Sequence, residues 1–164
     1  MTSIFDAHSL AIRAHAGQVD KGGQPYIRHL ERVANAAAAR AGHARSVNRI
    51  DVDPMMVMQA ALLHDVLEDT ATTAGDLTAA GFGDEVLAMV LLLTKPKQKI
   101  PYSEAIDRII ESNNLGAILI KMSDNEDNLS PHRTLPNGEA LAARYRTAFG
   151  RLTDAAGALG YTGG

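Results

Sequence analysis

The stretch Asp53-Pro-Met-Met-Val-Met-Gln-Ala-Ala-Leu-Leu-His-Asp-Val-Leu-Glu-Asp-Thr70 decides how this chain reads. Asp53 followed by Pro54 is a cap followed by proline at the first helical position. The run from Met55 to Leu67 is apolar on most sides, which predicts a central, buried helix. That helix abruptly carries His64, Asp65, Glu68 and Asp69. Ionised carboxylates are costly to bury without compensation, and a bound cation is one of few good compensations. At helical spacing, His64 pairs with Glu68 and Asp65 with Asp69. One pair is expected to hold a metal while the other faces a substrate.

The same helical period extends on both sides. A first helix is expected after Ser3, its hydroxyl capping the start and Asp6 lying near the positive N-terminal end. Asp20 to Pro25 is turn-rich. A second helix is expected from Ile27 to Ala41, ended by Gly42, with 43–52 as an exposed connector. Thr73 and Asp76 form the pattern of a capping box for a short helix ending at Gly81. Further helices are expected over Asp84–Thr94, Tyr102–Glu111, Leu115–Ser123 and Glu139–Leu159. Between the last two lies a polar loop from Asp124 to Asn137. The tail Gly160 to Gly164 is expected to fray. No segment alternates at period two, and no repeat or linker divides the chain. The expectation is one all-α domain over 1–164, a bundle of about eight helices.

Composition narrows the function. The 164 residues are 46% hydrophobic, with no Trp and no Cys. The absence of Cys removes disulfides, thiolate zinc sites and thiol catalysis together. A net charge of -3 gives no basic footprint for nucleic acid. No apolar run reaches membrane-spanning length, and no signal peptide opens the chain, so a cytoplasmic protein is expected. Homo-oligomerisation is left open.

His64 and Asp65 cannot complete a metal site alone. The further candidates are His29, at the start of the second helix, and Asp124, where an apolar helix meets a polar loop. Two imidazoles and two carboxylates suit Mn²⁺, Fe²⁺ or Zn²⁺ and leave room for water. Water on such an ion becomes nucleophilic near neutral pH. Glu68 is then the general base or water-orienting group, with Asp69 as its partner. Lys21 and Lys121 are candidate phosphate contacts, and Lys95, Lys97 and Lys99 a candidate basic rim. Tyr145, between Arg144 and Arg146, is a candidate for stacking on or hydrogen-bonding to substrate. Gly22-Gly23 is not a P-loop, because no strand precedes it and no Lys-Ser/Thr follows in place. The Met55-Met56-Met58 cluster reads as core. His8, His15, His43 and His132 show no ligand pattern, although His15 could support the site from behind.

The motif His64-Asp65-Val-Leu-Glu-Asp69 resembles the HDxxED signature of the hydrolase domain of RelA/SpoT homologues and of their stand-alone Mesh1-type relatives. Ala14-His-Ala-Gly-Gln18, Lys21 and Gly23-Gln-Pro-Tyr-Ile-Arg-His29 are similar to that family's opening motif. Leu93-Thr-Lys95 is similar to a later element, and Ile120-Lys-Met-Ser-Asp124 with Asn128 to a fourth. The resemblance implies a helical HD fold, a Mn²⁺ ion, and His29, His64, Asp65 and Asp124 as its ligands. It implies catalytic roles for Glu68 and Asp69 and a nucleotide contact for Asn128. The implied reaction removes pyrophosphate from the 3′ position of (p)ppGpp, a small-molecule nucleotide substrate. No synthetase domain fits beside the hydrolase, so synthesis of ppGpp is not expected.

The departures fall on base recognition. Asp20 stands where the family usually has an arginine that packs on guanine, so a stacking cation is lost. The usual Asp-Arg-Leu-His-Asn is here Asp124-Asn-Glu-Asp-Asn128, and Leu30 replaces a proline. Two other readings therefore stand: an HD phosphohydrolase for other nucleoside phosphates or phosphate esters, and a nucleotide-sensing module without turnover. Intact Glu68 and Asp69 argue against the latter.

Overall fold

A computed structural model describes residues 2–131 and 138–164, so His132 and the last part of the loop expected up to Asn137 lie outside the described residues. The described chain forms α1 (Ile4–Ala14), α2 (Ile27–Ser46), α3 (Pro54–Leu63), α4 (Val66–Asp69), α5 (Ala74–Ala79), α6 (Asp84–Leu93), α7 (Tyr102–Glu111), α8 (Leu115–Asn128) and α9 (Gly138–Ala158). Among the described residues, eight of these are helices of six residues or more, and α4 is a single turn. No strand occurs among the described residues, only an isolated bridge between Val19 and Pro25.

The local signals act as their chemistry requires. The Ser3 side chain accepts from the Asp6 amide and the Asp6 carboxylate from the Ser3 amide, a reciprocal capping box. Thr73 and Asp76 repeat it at α5. Asp53 caps α3 through the Met55 amide at 2.8 Å, with Pro54 in the first turn.

The helices α2, α3 and α8 form the centre. The first packs on both of the others, α1 and α6 lie on α3, and α9 covers α8. Ala34, Ala37, Ala41, Ala60, Ala61 and Ala117 are all fully buried in this core. Their small side chains let helix axes approach closely, and Leu30, Leu62, Leu63, Ile118, Leu119 and Ile120 fill the rest. The methionine cluster expected in the core only borders it. Met55 is exposed in the first turn of α3, while Met56 and Met58 are half-buried against the core.

Four boundaries differ from expectation. Gly42 does not end α2, which continues to Ser46. A mid-helix glycine costs only about 1 kcal/mol, and continuing the helix buries Ala44 completely. The helix expected over Met55–Leu67 stops at Leu63, turns at His64-Asp65, and resumes as α4. The polar run from Asp124 to Asn128 belongs to α8 and is not loop. Its polarity reflects buried partners. The tail does not fray: Tyr161 is 5% exposed, Asn48 donates to the Thr162 hydroxyl at 2.7 Å, and buried Arg40 donates to the Gly164 carbonyl at 3.2 Å.

Candidate metal centre

The break after Leu63 builds the site. The His64 Nδ1–H donates to the Ala61 carbonyl at 2.6 Å, which fixes the ring and directs Nε2 the other way. Asp65 follows in the same turn, so His64 and Asp65 enter the site together. The expected straight pairs His64/Glu68 and Asp65/Asp69 do not form two parallel strips. Glu68 and Asp69 instead stand exposed at the rim.

From the facing helices come His29 on α2 and Asp124 on α8. One ligand atom each from His29, His64 and Asp124 lies within 4.8 Å of the others. His29 Nε2 is 3.1 Å from Asp124 Oδ1, and His64 Nε2 is 3.6 Å from the same oxygen. Asp65 Oδ2 approaches His64 Nε2 to 3.2 Å and His29 Nε2 to 3.9 Å. All four sequence candidates therefore converge, with Asp65 at the edge of the tighter trio.

The donor set fits a cation. His29 Nδ1 is 2.7 Å from Asp127 Oδ2, which is placed to accept its N–H, and Nε2 faces Asp124 on the other side of the ring. His64 is held the same way by Ala61. Its buried Nε2 lies near two carboxylates yet has no aligned hydrogen-bond partner. Two lone pairs facing two carboxylates in a buried space repel unless protons or a cation intervene. Burial disfavours a charged His64 ring, but Asp65 and Asp124 outweigh it and hold the pKa well above its usual value. Burial likewise opposes ionisation of Asp124, and Lys121 with the two imidazoles overcomes it, keeping that carboxyl well below the usual range. Two ring nitrogens and two carboxylate oxygens form a mixed N/O set of the kind that divalent transition ions take.

Several supporting residues escaped the sequence reading. The Tyr26 hydroxyl donates to Asp65 Oδ2 at 2.6 Å. Asp127 is buried between His29 and Arg32, and its pKa is lowered: burial acts against ionisation, but the His29 and Arg32 hydrogen bonds prevail. Tyr102 donates to Asn125 at 2.8 Å, and among the described residues its ring lies within 6 Å of Arg144 at 5.4, Lys121 at 5.6 and Lys95 at 5.8 Å. The one available signal was spacing, since Asp124 and Asp127 are three apart on a helix, as are His29 and Arg32.

The remaining candidates divide. Lys121 Nζ is 2.8 Å from Asp124 Oδ2 and largely buried, so it belongs to the site. Asn128 Nδ2 reaches Asp124 Oδ1 at 3.4 Å. Tyr145 packs edge-on against Tyr102, their rings 5.9 Å apart. Glu68 accepts from the Lys95 amide, tying the rim to the loop after α6. Desolvation, with Asp65 and Glu68 adding to it, raises the Asp69 pKa. Lys21 is exposed on the loop before α2 and makes no hydrogen bond or ion pair among the described residues. Asp20 staples that loop, its Oδ1 accepting from the Gly22 and Gln24 amides at 2.9 and 3.0 Å. His15 lies behind the site, its ring 5.2 Å from that of Tyr26. Two clefts flank these residues differently. One of about 550 Å³ between α7 and α9 includes Tyr102 and Arg144, whereas one of about 760 Å³ around Met56, Met89 and Leu115 shares no residue with the cluster.

A helical bundle whose central helices converge a His/Asp cluster defines the class, a metal-dependent hydrolase of the HD type. The HD domain model matches residues 7–124. The guanosine-3′,5′-bis(diphosphate) 3′-pyrophosphohydrolase MESH1 of Homo sapiens is 34% identical over 141 residues, spanning 82% of this chain and 73% of that protein. The guanosine-3′,5′-bis(diphosphate) 3′-pyrophosphohydrolase of Vibrio cholerae is 32% identical over 136 residues, spanning 77% of this chain and 17% of that longer protein. A solved structure described as a metazoan ortholog of SpoT that hydrolyzes ppGpp superposes with a TM-score of 0.68 at 26% identity, over 95% of this chain and 86% of that one. The chain belongs to the HD-domain hydrolase family, alongside the MESH1-type and SpoT-type proteins.

Proposed function

We propose that this protein removes the 3′-pyrophosphate of (p)ppGpp or a related purine nucleotide, using a Mn²⁺ ion held by His29, His64, Asp65 and Asp124. The observation carrying this reading is the pair of imidazoles whose distal nitrogens are bonded away, to Asp127 and Ala61, leaving both Nε2 atoms turned toward Asp124 and Asp65. The names of the 34% and 32% identical relatives support the reaction and substrate.

When bound, such an ion supplies Lewis acidity, acidifying water and drawing charge from a phosphoryl oxygen. The protein's own groups do the rest. Glu68, exposed at the rim, accepts the proton of the attacking water, and Asp69 orients it. Lys121 neutralises charge on the phosphoryl group from the Asp124 side. Tyr102, Lys95 and Arg144 form a cationic and aromatic wall beside it, where Tyr145 and Asn128 contact the nucleotide. Lys21 reaches the phosphates from the opposite loop. The chain is proposed to act in the cytoplasm; no helix among the described residues is long and apolar enough to cross a membrane.

Asp20 favours a second reading, a broader nucleotide or phosphate-ester hydrolase, because an acid at that position offers no stacking cation to guanine. A nucleotide panel with Mn²⁺, assayed separately for pyrophosphate and phosphate release, separates them. Release of pyrophosphate from ppGpp in preference to other nucleotides supports the first reading. Phosphate release from many esters, with ppGpp untouched, overturns it.

A further inference from the structure

Two short helical spacings face each other across the α2–α8 contact. His29 and Arg32 are three apart on α2, and Asp124 and Asp127 are three apart on α8. His29 bridges both acids, with Nε2 at 3.1 Å from Asp124 Oδ1 and Nδ1 at 2.7 Å from Asp127 Oδ2. Arg32 closes the box. Its Nε donates to Asp127 Oδ1 at 2.7 Å and its Nη2 to Asp127 Oδ2 at 3.1 Å. This two-point fork fixes the plane of the carboxylate as well as its position. His29 is 1% exposed and Asp127 8%, so water has little room to substitute for either contact.

We infer that Asp127, clamped by Arg32, is the positioning residue for His29: it accepts the hydrogen bond from Nδ1–H and thereby aims Nε2 at a divalent cation shared with His64 and Asp124. This rests on the metal site proposed above and adds a residue that none of the four ligands supplies. The two imidazoles are oriented by different means. Among the described residues, His64 Nδ1 has a neutral carbonyl, Ala61, behind it. His29 has an anion, the Asp127 carboxylate, at 2.7 Å.

The test uses the full chain stripped of metal by chelation and titrated with Mn²⁺ alone, free Mn²⁺ being read by electron paramagnetic resonance. Asp127→Ala is expected to weaken binding by roughly 10–100-fold. Asp127→Asn keeps an acceptor for Nδ1–H without the charge and is expected to fall between Ala and the parent. Arg32→Gln is expected to weaken binding less than Asp127→Ala. Should Asp127→Ala fail to fold, Asp127→Asn carries the test: Mn²⁺ binding weaker than the parent's supports the inference, and affinity equal to the parent's overturns it. Mn²⁺ affinity of folded Asp127→Ala within about twofold of the parent also overturns it and leaves the metal site itself standing. A parent chain that binds no Mn²⁺ removes both the metal reading and this one.

Discussion

At Asp20 the side chain has two separable properties, a negative charge and an acceptor oxygen. The acceptor holds the Gly22 and Gln24 amides, while the charge is proposed to oppose an anionic nucleotide. Asp20→Arg changes both at once and gives up two loop hydrogen bonds, each worth about 1 kcal/mol. Asp20→Asn keeps the acceptor and removes the charge. Its thermal midpoint is expected to match the parent within about 2 °C for a change under roughly 0.5 kcal/mol, with KM for anionic nucleotides lowered. An unchanged KM would show that the charge does not limit recognition. Glu68 offers a similar separation. In Glu68→Gln the side-chain oxygen can still accept from the Lys95 amide, but it no longer takes a proton at neutral pH. Turnover is expected to drop about 10²–10⁴-fold with metal content unchanged by elemental analysis. His64→Ala, in contrast, is expected to lose metal and turnover together.

Among the described helical glycines, Gly116 on α8 is the most closely packed. A Cβ at Gly116 would lie 2.5 Å from Met89 Sδ and 3.2 Å from Val57 Cγ2, so this glycine is where α8 meets α3 and α6. Met89 can swing away, but the β-branched Val57 is stiff. Gly116→Ala is expected to cost about 1–3 kcal/mol by overpacking, seen as a lower urea midpoint at an unchanged slope. Because Gly116 is about two turns from Asp124, the folded variant is expected to retain metal affinity. A midpoint equal to the parent's would show that Met89 absorbs the methyl group. The same helix shows why polarity misled the boundary. Asp124, Asn125 and Asp127 look like loop residues in sequence, yet each is buried with a partner from another element: His29, Tyr102 and Arg32 respectively. Burial of polar groups is tolerated when they are hydrogen-bonded. The partners here lie from 23 to 95 residues away, beyond the reach of any local pattern.

For the whole molecule, the candidate metal centre couples stability to pH. In the metal-free chain the folded pKa of His64 is raised above 6.5. Its contribution is complete below 6.5 and is lost as pH rises through the folded value. The folded pKa values of Asp65, Asp124 and Asp127 are depressed below 3.8. Their contributions are complete above 3.8 and are lost as pH falls through the folded values. The apo protein is therefore expected to be most stable between about pH 4 and 6.5, with a thermal midpoint that declines on the alkaline side. Saturating Mn²⁺ replaces the proton on His64 and is expected to flatten that decline, by linkage of ligand binding to folding. Superimposable midpoint-against-pH curves with and without metal would contradict this account. The tail acts at the same scale: Tyr161 is buried and Gly164 accepts from Arg40 of α2. Tyr161→Ala is therefore expected to destabilise the whole chain by about 2–4 kcal/mol, measured by chemical denaturation.

What this sequence determined alone follows from short-range physics. Helical periodicity, the Ser3, Asp53 and Thr73 caps, and a charged His-Asp motif within an apolar run do not depend on distant contacts, and they sufficed for the all-helical class. The same run marked His64 and Asp65, while the ordered motifs brought in His29 and Asp124. Tertiary structure alone decided the break after Leu63, the helical state of Asp124 to Asn128, the docking of the tail, and the Arg32–Asp127–His29 chain. Each depends on a hydrogen bond or ion pair between residues remote in sequence. A polar side chain reads as surface until the fold supplies the group that satisfies it, and only then can it be buried.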